Sequence, residues 1–323
     1  MSIGGIRRTG LDESGLSPAV ASFLHDARQG LSLPFPGHGK TSERLRALRA
    51  QAAEDASVGR LLEAHSDAVA ILFEASVRPP PLAALAVWAS GPTTSASVEK
   101  KGAGFVLNGR RSFCGGATVV DSALVTADSP DGERLVLVHL NQPGVWVDSA
   151  TWKVAAFRDA GIATVHFTDV RVDTASFIGQ PGWYGSRPGF WFGAVGVGAV
   201  WAGIADLVLS SLPGLRRHGD DISHVATGSV EAAMWAVSAL LDQAASQIDE
   251  PSATGPSHRA RSIALSFRHS VRSHLESAIL AFDQEVGPAA VAFDTDLART
   301  RTELQMSLAQ SHGTRDLLLL GQT

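Results

Sequence analysis

Histidine, cysteine and serine commonly carry metal or nucleophilic chemistry, and their spacing in this chain favours neither. The eleven histidines include no HExxH motif and no pair four residues apart. His269 and His274 lie five residues apart, which points them to different sides of a helix. No G-x-S-x-G motif is present, so no serine nucleophile of the hydrolase type is indicated. The sequence therefore predicts no metal site and no hydrolase nucleophile.

Two glycine-containing segments imitate nucleotide-binding motifs. Gly39-Lys40-Thr41 matches the end of a phosphate-binding loop, but Pro34 stands where that motif needs its first glycine. We predict that this segment is a loop in which Thr41 or Ser42 caps the next helix. A second group of glycines lies inside a helical pattern and not between a strand and a helix, so it favours close helix packing over dinucleotide binding. This group comprises Gly193, Gly196, Gly198 and Gly203.

Composition limits the class of protein. The chain has 323 residues, 45% apolar and 18% charged, with a net charge of −5, which is typical of a globular protein without a nucleic-acid surface. The single cysteine, Cys114, excludes an internal disulfide and fits a cytoplasmic location. The N-terminal fifteen residues lack the apolar core of a signal peptide. The segment 190–212 is long and apolar enough to span a membrane, but we predict a buried bundle helix and no membrane partner.

Hydrophobic patterning divides the chain into three predicted domains. Residues 1–81 form a short helical domain that ends at Pro79-Pro80-Pro81. Residues 82–185 contain short β-branched and aromatic runs, with the turn dipeptides Asn108-Gly109 and Asp131-Gly132, which indicates an antiparallel barrel or sandwich. Residues 186–323 are helical, and their breaks predict a four-helix bundle. The predicted bundle helices are 190–212, 221–249, 257–286 and 292–320.

Two sequence segments in the β-rich region resemble the acyl-CoA dehydrogenase-like flavoproteins. LAVWASGP followed by GFVLNGRRSFCGG is similar to that family's flavin-facing strands, where an extended segment precedes G-x-x-L-N-G-x-K-x-F/W and a small polar residue. FRDAGIATVHFTDVRV with Ile178-Gly179 is similar to G-x-R … V-x-F-x-D-V-x-V-P … L-G, and Arg158 falls at the matching arginine. The resemblance implies an α+β fold with a short N-terminal helical region, a central antiparallel β-domain and a C-terminal four-helix bundle.

The resemblance also implies a non-covalent FAD that rests against the β-domain, with the bundle and a second subunit holding the rest of the nucleotide. The candidate cofactor-binding residues are Trp88, Ser90, Phe113, Cys114, Gly115, Trp152, Arg158 and Arg217. Trp88 and Phe113 have the alternative interpretation of barrel core, and Cys114 that of a small buried hydrophobe. Arg217 belongs to a basic cluster that also suits the C-terminal end of a helix.

The base that acyl-CoA dehydrogenation requires is not found in the sequence. The family supplies a glutamate either at the opening of the first bundle helix or after an Arg-Asp near the C-terminus. The chain has Gly189-Phe190-Trp191-Phe192 at the first place, and LLLLGQT follows Arg315-Asp316 at the second. Glu231 and Glu285 remain as substitutes, although both suit ordinary helix carboxylates. No catalytic residue is therefore assigned.

Three functional hypotheses follow. The leading one is an FAD-dependent oxidoreductase with altered substrate or chemistry, acting on a small molecule or an acyl thioester. The alternative is a flavin-dependent monooxygenase of the same fold, which needs no α-proton base and in which His312 could occupy the place of a histidine on the last helix. The third is a non-catalytic scaffold without flavin. A homodimer or a dimer of dimers is expected, because apolar residues of the third and fourth predicted bundle helices cover more than one face and the family that the chain resembles pairs its subunits through this bundle. Examples are Ile263, Leu265, Phe267, Val271, Leu275, Ile279 and Leu280.

Overall fold

The computed structural model describes residues 15–89, 96–215, 221–250, 256–311 and 313–322. Its helices are α1 Pro18–Arg28, α2 Thr41–Glu54, α3 Ala56–Glu74, α4 Trp183–Ser186, α5 Pro188–Leu209, α6 Leu212–Leu215, α7 Asp221–Asp249, α8 Pro256–Phe293, α9 Thr295–Ala309 and α10 Gly313–Gly321. Its strands are β1 Leu85–Trp88, β2 Ser97–Lys101, β3 Gly104–Cys114, β4 Ser122–Ala127, β5 Arg134–His139, β6 Val145–Asp148, β7 Ala163–Val172 and β8 Phe177–Ile178.

By its internal contacts the chain divides into two compact units. The β-unit comprises Met1–Ser32 and Arg60–Phe190, and the bundle unit comprises Leu33–Gly59 and Trp191–Thr323. The order of helices, strands and helices is the predicted one, and the predicted α+β fold class is confirmed. The three domain boundaries inferred from the sequence stay predictions.

Two four-stranded sheets form the β-unit, a first sheet in the order β1-β4-β5-β8 and a second in the order β2-β3-β7-β6. Among the described strands, β1 pairs with β4 in parallel and the other pairs are antiparallel. Every residue of β4 is buried, because this strand lies between β1 and β5 and its run SALVTA offers apolar or small side chains to both faces. Ile71 and Leu72 of α3 pack in one core cluster with Leu124 of β4 and Leu135 of β5.

One of the two predicted hairpin dipeptides forms a turn. Asp131-Gly132 lies between β4 and β5, where Ser129 and Gly132 exchange backbone hydrogen bonds of 3.2 and 3.0 Å. Asn108-Gly109 instead lies inside β3, so the prediction of a hairpin there was wrong. The β3–β7 register shifts between Leu107 and Gly109, and Gly109 has φ +104°, so the dipeptide forms a bulge.

His65 and Asp121 join separate segments of the β-unit. The buried His65 ring accepts the Leu85 N–H through Nδ1 at 3.1 Å, and its Nε2 is 3.0 Å from the Leu31 carbonyl. Because Nδ1 accepts, Nε2 carries the proton and the ring is neutral. Burial lowers the pKa of His65, which keeps it neutral. The Asp121 carboxylate accepts the Ala84 N–H at 2.8 Å and both nitrogens of the Arg28 fork at 3.0 and 3.2 Å.

The bundle helices differ from the predicted ranges at their ends. The second predicted helix, 221–249, matches α7 Asp221–Asp249. The third continues from Pro256 to Phe293 across a kink at Gly287, whose φ of 65° breaks the helical backbone before Pro288. The fourth is two helices, α9 and α10. The first ends at Leu209, and the short α6 follows.

Helix α2 receives its N-terminal cap from α7. The Asp249 carboxylate accepts the N–H groups of Gly39 at 3.0 Å and Thr41 at 2.9 Å, and the Thr41 hydroxyl at 2.7 Å. Neither Thr41 nor Ser42 acts as the cap, because Lys40 is the N-cap and makes no side-chain cap bond. The Gly39-Lys40-Thr41 segment is thus a loop, as predicted, but its carboxylate partner comes from the distant α7.

Helix α5 is the membrane-like segment noted in the sequence. Among the described residues, Gly189–Leu215 is the stretch long and apolar enough to cross a membrane, with a mean hydropathy of 1.8 in its most apolar window. In that window 72% of the residues are buried inside the structure, which is the pattern of a core helix.

The apolar stripe of α8 is largely covered within one chain. Ile263, Leu265, Phe267, Val271, Leu275 and Ile279 are buried, whereas Leu280 is 59% exposed. The width of this stripe therefore does not by itself require a second subunit. The expected homo-oligomer stays a prediction.

Candidate functional site

The candidate site is built on the turn that follows β3. The β3–β7 register shifts a second time between Arg111 and Cys114, and Phe113 in this bulge has the left-handed φ of +58°. Its side chain is 71% exposed. A bulky residue in this backbone region costs about 1–2 kcal/mol, and such strain concentrates at functional positions.

Trp88 and Gly115 are joined by a hydrogen bond. The indole Nε1–H of the buried Trp88, at the end of β1, donates to the Gly115 carbonyl at 2.9 Å. Apart from Gly115 and its two chain neighbours, none of the described residues has an atom within 4 Å of the place where a Gly115 Cβ would stand. The bond therefore holds a turn whose outer side is open at Gly115.

Phe113 and Trp152 form an aromatic pair. Their ring centroids are 6.2 Å apart and their planes make an angle of 87°, an edge-to-face arrangement. The Trp152 Nε1–H donates to the Ala156 carbonyl at 2.8 Å, which orients the indole. Edge-to-face pairs contribute about 0.5–1.5 kcal/mol beyond area burial. Two candidate residues 39 positions apart in the sequence thus share one apolar surface.

The segment with Arg158 lies against the same turn. Gly116 donates its N–H to the Ala160 carbonyl at 2.8 Å, and Thr118 donates to Gly161 at 3.3 Å. Arg158 itself begins the short 3-10 turn Arg158–Ala160, and its exposed guanidinium lies 3.6 Å from Asp159. The turn, the aromatic pair and the Arg158 segment therefore meet at one end of β3 and β7.

Cys114 is the buried member of this turn. Its Sγ–H donates to the Arg111 carbonyl at 3.2 Å. Burial raises the pKa of the Cys114 thiol to about 12, so the thiol stays protonated near neutral pH and is a poor nucleophile. Cys114 packs on the inner side of the turn, which agrees with its interpretation as a small buried apolar residue.

Three residues singled out from the sequence, Ser90, Arg217 and His312, lie outside the described residues. Conversely, sequence reasoning missed Gly116 and Phe157. Gly116 has φ +76°, and a Cβ there would lie 2.7 Å from the Val120 side chain. Phe157 has φ +54° and is buried. The Gly115-Gly116 dipeptide was a usable signal for a tight turn, whereas a left-handed phenylalanine has none.

At the first place where the related family keeps its base, the structure leaves no room for a side chain. A Cβ on Gly189 would lie 1.8 Å from the Glu74 carboxylate. That carboxylate accepts bonds of 3.1 and 3.0 Å from the Arg187 guanidinium. Glu74 is thus a carboxylate at this place that the sequence did not reveal. Because Arg187 binds both of its oxygens, proton abstraction by Glu74 would require breaking the pair.

Three further acidic residues of the C-terminal helices lie elsewhere in the structure. Glu285 is buried and accepts the Ser223 hydroxyl. Glu231 is exposed on α7. Asp316, the acid of α10, is buried with Arg268 at 3.5 Å. None of these three carboxylates lies within the turn that carries the aromatic pair.

Comparison with known proteins supports the fold. No protein-family model matches the chain, and no curated protein matches it by sequence. Among solved structures, the nitrososynthase of Micromonospora carbonacea var. africana is similar with a TM-score of 0.79 and 18% identity, over 96% of this chain and 90% of that one. TdsC of Paenibacillus sp. A11-2, solved with FMN and indole, has a TM-score of 0.74 and 16% identity, over 94% of both chains.

The methanesulfinate monooxygenase MsuC of Pseudomonas fluorescens has a TM-score of 0.73 and 16% identity, over 95% of this chain and 96% of that one. These neighbours have the acyl-CoA dehydrogenase-like fold, so this chain has that fold. At such identities the similarity establishes the architecture alone.

Proposed function

We propose that this protein is a flavin-dependent monooxygenase that uses reduced FMN and dioxygen to oxidise a small, largely apolar molecule. The observation that carries the proposal is the similarity over nearly the whole chain to two oxygenating enzymes, TdsC, solved with FMN and also described as a dibenzothiophene monooxygenase, and the methanesulfinate monooxygenase MsuC. These neighbours favour the monooxygenase hypothesis over the FAD-dependent acyl oxidation that the sequence first suggested.

The residues of the β3 turn are suited to a planar cofactor. Phe113 offers an exposed ring, and the backbone at Gly115 faces open space. Trp88 holds the Gly115 carbonyl in place from inside. An isoalloxazine ring needs an apolar face and a close backbone approach, and this turn offers both. We assign Phe113, Gly115 and Trp152 to ring contact and Trp88 to positioning the turn.

The ion pair of Glu74 with Arg187 agrees with this chemistry. A bound reduced flavin would supply the two electrons and two protons with which one atom of dioxygen is transferred to the substrate and the other is released as water. No proton has to be taken from carbon for such a transfer to sulfur, nitrogen or an electron-rich ring. By contrast, α-proton abstraction from a thioester requires a positioned base, and Glu74 is bound by Arg187.

Oxygen consumption by the purified protein tests the proposal. Reduced FMN supplied by a separate flavin reductase and NADH, with indole or dibenzothiophene as probe, should give a product that carries one atom from ¹⁸O₂. FAD in place of FMN tests the cofactor. An anaerobic titration with butyryl-, octanoyl- and palmitoyl-CoA is the opposing assay. Rapid bleaching of bound flavin by an acyl-CoA, without oxygenated product from either probe, would refute the monooxygenase proposal.

The variant Gly115→Arg tests whether flavin binds at the β3 turn. The substitution fills the open place at the turn without meeting a described atom within 4 Å of the Cβ, so the fold should persist. Flavin affinity should fall by at least about 100-fold, because the guanidinium occupies the ring's position. A folded variant with full flavin occupancy would show that the cofactor binds elsewhere.

A further inference from the structure

A groove opens between α7 and α8 of the bundle unit. Its volume is about 300 Å³, at the lower end of the range of small-molecule sites, which often lie between the helices of bundles. Its floor is apolar, and its rims carry uncharged hydrogen-bonding side chains. The lining residues are Leu240, Gln243, Ala244 and Gln247 of α7, and Ser262, Ile263, Ser266, Phe267 and Ser270 of α8. None of these lining residues is charged.

The polar lining residues form one row on each helix. The amide row of α7 consists of Gln243 and Gln247, four residues apart. The hydroxyl row of α8 consists of Ser262, Ser266 and Ser270, again at four-residue steps. Residues four apart lie on one face of a helix and rise by about 6 Å per step, so the hydroxyl row is about 12 Å long. The groove therefore has two polar edges along an apolar floor.

The amides and hydroxyls of the two rows are free to bind a ligand. Hydroxyls inside helices commonly donate to the carbonyl four residues earlier. Those of Ser229, Ser238 and Thr302 do so at 2.8, 2.9 and 2.8 Å. In the described part of the chain, by contrast, the side chains of the hydroxyl row and of the amide row make no hydrogen bond. A ligand in the groove would therefore meet donors and acceptors that no described group occupies.

The depth of the groove depends on Gly198 of α5. A Cβ at this position would lie 2.4 Å from the Phe267 ring, so the missing side chain allows the ring to lie close against α5. Phe267 is 3% exposed, and its ring forms part of the groove floor. A side chain at position 198 would push the ring outward into the groove. The glycine that suggested close helix packing in the sequence thus also keeps the groove open.

We propose that the α7–α8 groove binds a flat, uncharged heteroaromatic molecule of two or three fused rings with hydrogen-bonding groups on both long edges. The apolar floor covers one face of the ring system, and each polar row binds one edge. A charged ligand is disfavoured, because the lining offers no counter-charge and the neighbouring Asp242 is already paired with Arg46 at 3.1 Å. The site belongs to the bundle unit and does not depend on the proposed enzymatic function.

Acridone is a suitable probe, since its N–H and its carbonyl lie on opposite long edges of a flat, uncharged tricycle. Its fluorescence should report saturable binding to the full chain at micromolar concentration. The matched ligand 10-methylacridone should bind at least about 10-fold more weakly, because the methyl group replaces the N–H and leaves its acceptor unpaired. Saturating FMN should leave the acridone dissociation constant unchanged, which separates this site from a flavin site.

Substitutions in the chain locate the bound acridone. Ser266 is exposed at the rim, so Ser266→Leu should fold normally, occupy the groove and weaken acridone binding by at least about 10-fold. Ser273→Ala is the matched control, because Ser273 is exposed on α8 outside the groove lining, and it should bind acridone like the wild type. Gly198→Ala should also weaken binding by pushing Phe267 outward, and Ser266→Leu decides the test if that variant does not fold.

Four outcomes would overturn the proposal. They are the absence of saturable acridone binding, equal affinities for acridone and 10-methylacridone, displacement of acridone by FMN, and wild-type affinity in Ser266→Leu. The third of these would place acridone at a flavin site, whereas failure of the oxygenation assay alone would leave the groove proposal intact.

Discussion

In the bundle unit, Gly203 of α5 allows another backbone to come close, whereas in the β-unit Gly115 faces open space. A Cβ on Gly203 would lie 2.1 Å from the Arg49 carbonyl of α2, and one on Gly115 would meet none of the described atoms within 4 Å. The same contrast holds between two aromatic residues, one in each unit. Trp201 of α5 is fully buried, while Phe113 is largely exposed on a strained backbone.

This contrast separates residues that maintain the fold from those that are available to a ligand. Around Gly203, the helix crossing is reinforced by the Arg49–Asp206 pair, with bonds of 2.6 and 2.9 Å. Around Phe113, the turn is held from behind and its outer side is left uncovered. We therefore expect substitutions in the first region to change stability, and substitutions on the outer side of the second to change activity.

A large effect on stability is expected at the helix crossing. Gly203→Ala should lower the free energy of unfolding by about 2–3 kcal/mol, because its Cβ collides with the Arg49 carbonyl and the helices must separate. Gly228→Ala is the control, since Gly228 lies inside α7 with nothing within 4 Å of its Cβ position. This change should raise stability by about 0.5–1 kcal/mol through helix propensity. Urea unfolding of both variants checks this, and equal changes in stability for Gly203→Ala and Gly228→Ala would contradict the prediction.

Adjacent glycines of the β3 turn should behave differently from each other. Gly116→Ala should cost about 1–3 kcal/mol, because Gly116 has φ +76° and its Cβ would lie 2.7 Å from Val120. Gly115→Ala should stay within about 0.5 kcal/mol of the wild type. Urea unfolding of the two variants checks this. If Gly115→Ala were the more destabilising, the outer side of the turn would not be open.

Much of the fold followed from the sequence, since apolar periodicity and turn residues are local signals. The described range of helix α7, Asp221–Asp249, agrees with the predicted helix, and the sequence motifs of the β-domain indicated the fold. Pairings between distant residues were not predictable. Nothing in the sequence links Asp249 to the N-terminus of α2, and nothing places Glu74 beside Gly189.

At the candidate site, the sequence resemblance supplied the residues and the structure supplied their pairing. Trp88 contacts Gly115, and Phe113 contacts Trp152. The strand bulge at Asn108-Gly109 shows the corresponding limit. The same dipeptide suits a hairpin turn and a bulge, because both need a left-handed glycine, and only strand pairing decides between them.

The free energy of unfolding is expected to depend on pH through His65, the buried histidine that joins Leu85 and Leu31 in the β-unit. Its pKa is lowered by burial from its ordinary value of 6.5, so the unfolded chain binds a proton more readily than the folded one. The stability that neutral His65 contributes is thus complete above pH 6.5 and is lost as the pH falls through the folded pKa. In His65→Gln, the decline in unfolding free energy between pH 7 and pH 5 should be shallower than in the wild type. The exposed His224→Gln should keep the wild-type slope, and an unchanged slope in His65→Gln would contradict the prediction.

A small effect on stability but a large one on activity is expected at Phe113, the exposed and strained residue of the candidate site. Phe113→Asn relieves a left-handed strain of about 1–2 kcal/mol, since asparagine tolerates this backbone, but loses the edge-to-face contact with Trp152, which is worth about 0.5–1.5 kcal/mol. The two terms nearly cancel, so the free energy of unfolding should stay within about 1 kcal/mol of the wild type. Oxygenation with reduced FMN should nevertheless fall by at least about 10-fold, because the exposed ring is lost. Phe157 has the same backbone conformation but is buried, and Phe157→Asn should cost about 3 kcal/mol. If Phe113→Asn kept the wild-type oxygenation rate, the exposed aromatic ring would not be needed for the reaction. If its loss of stability equalled that of Phe157→Asn, Phe113 would be a residue that maintains the fold.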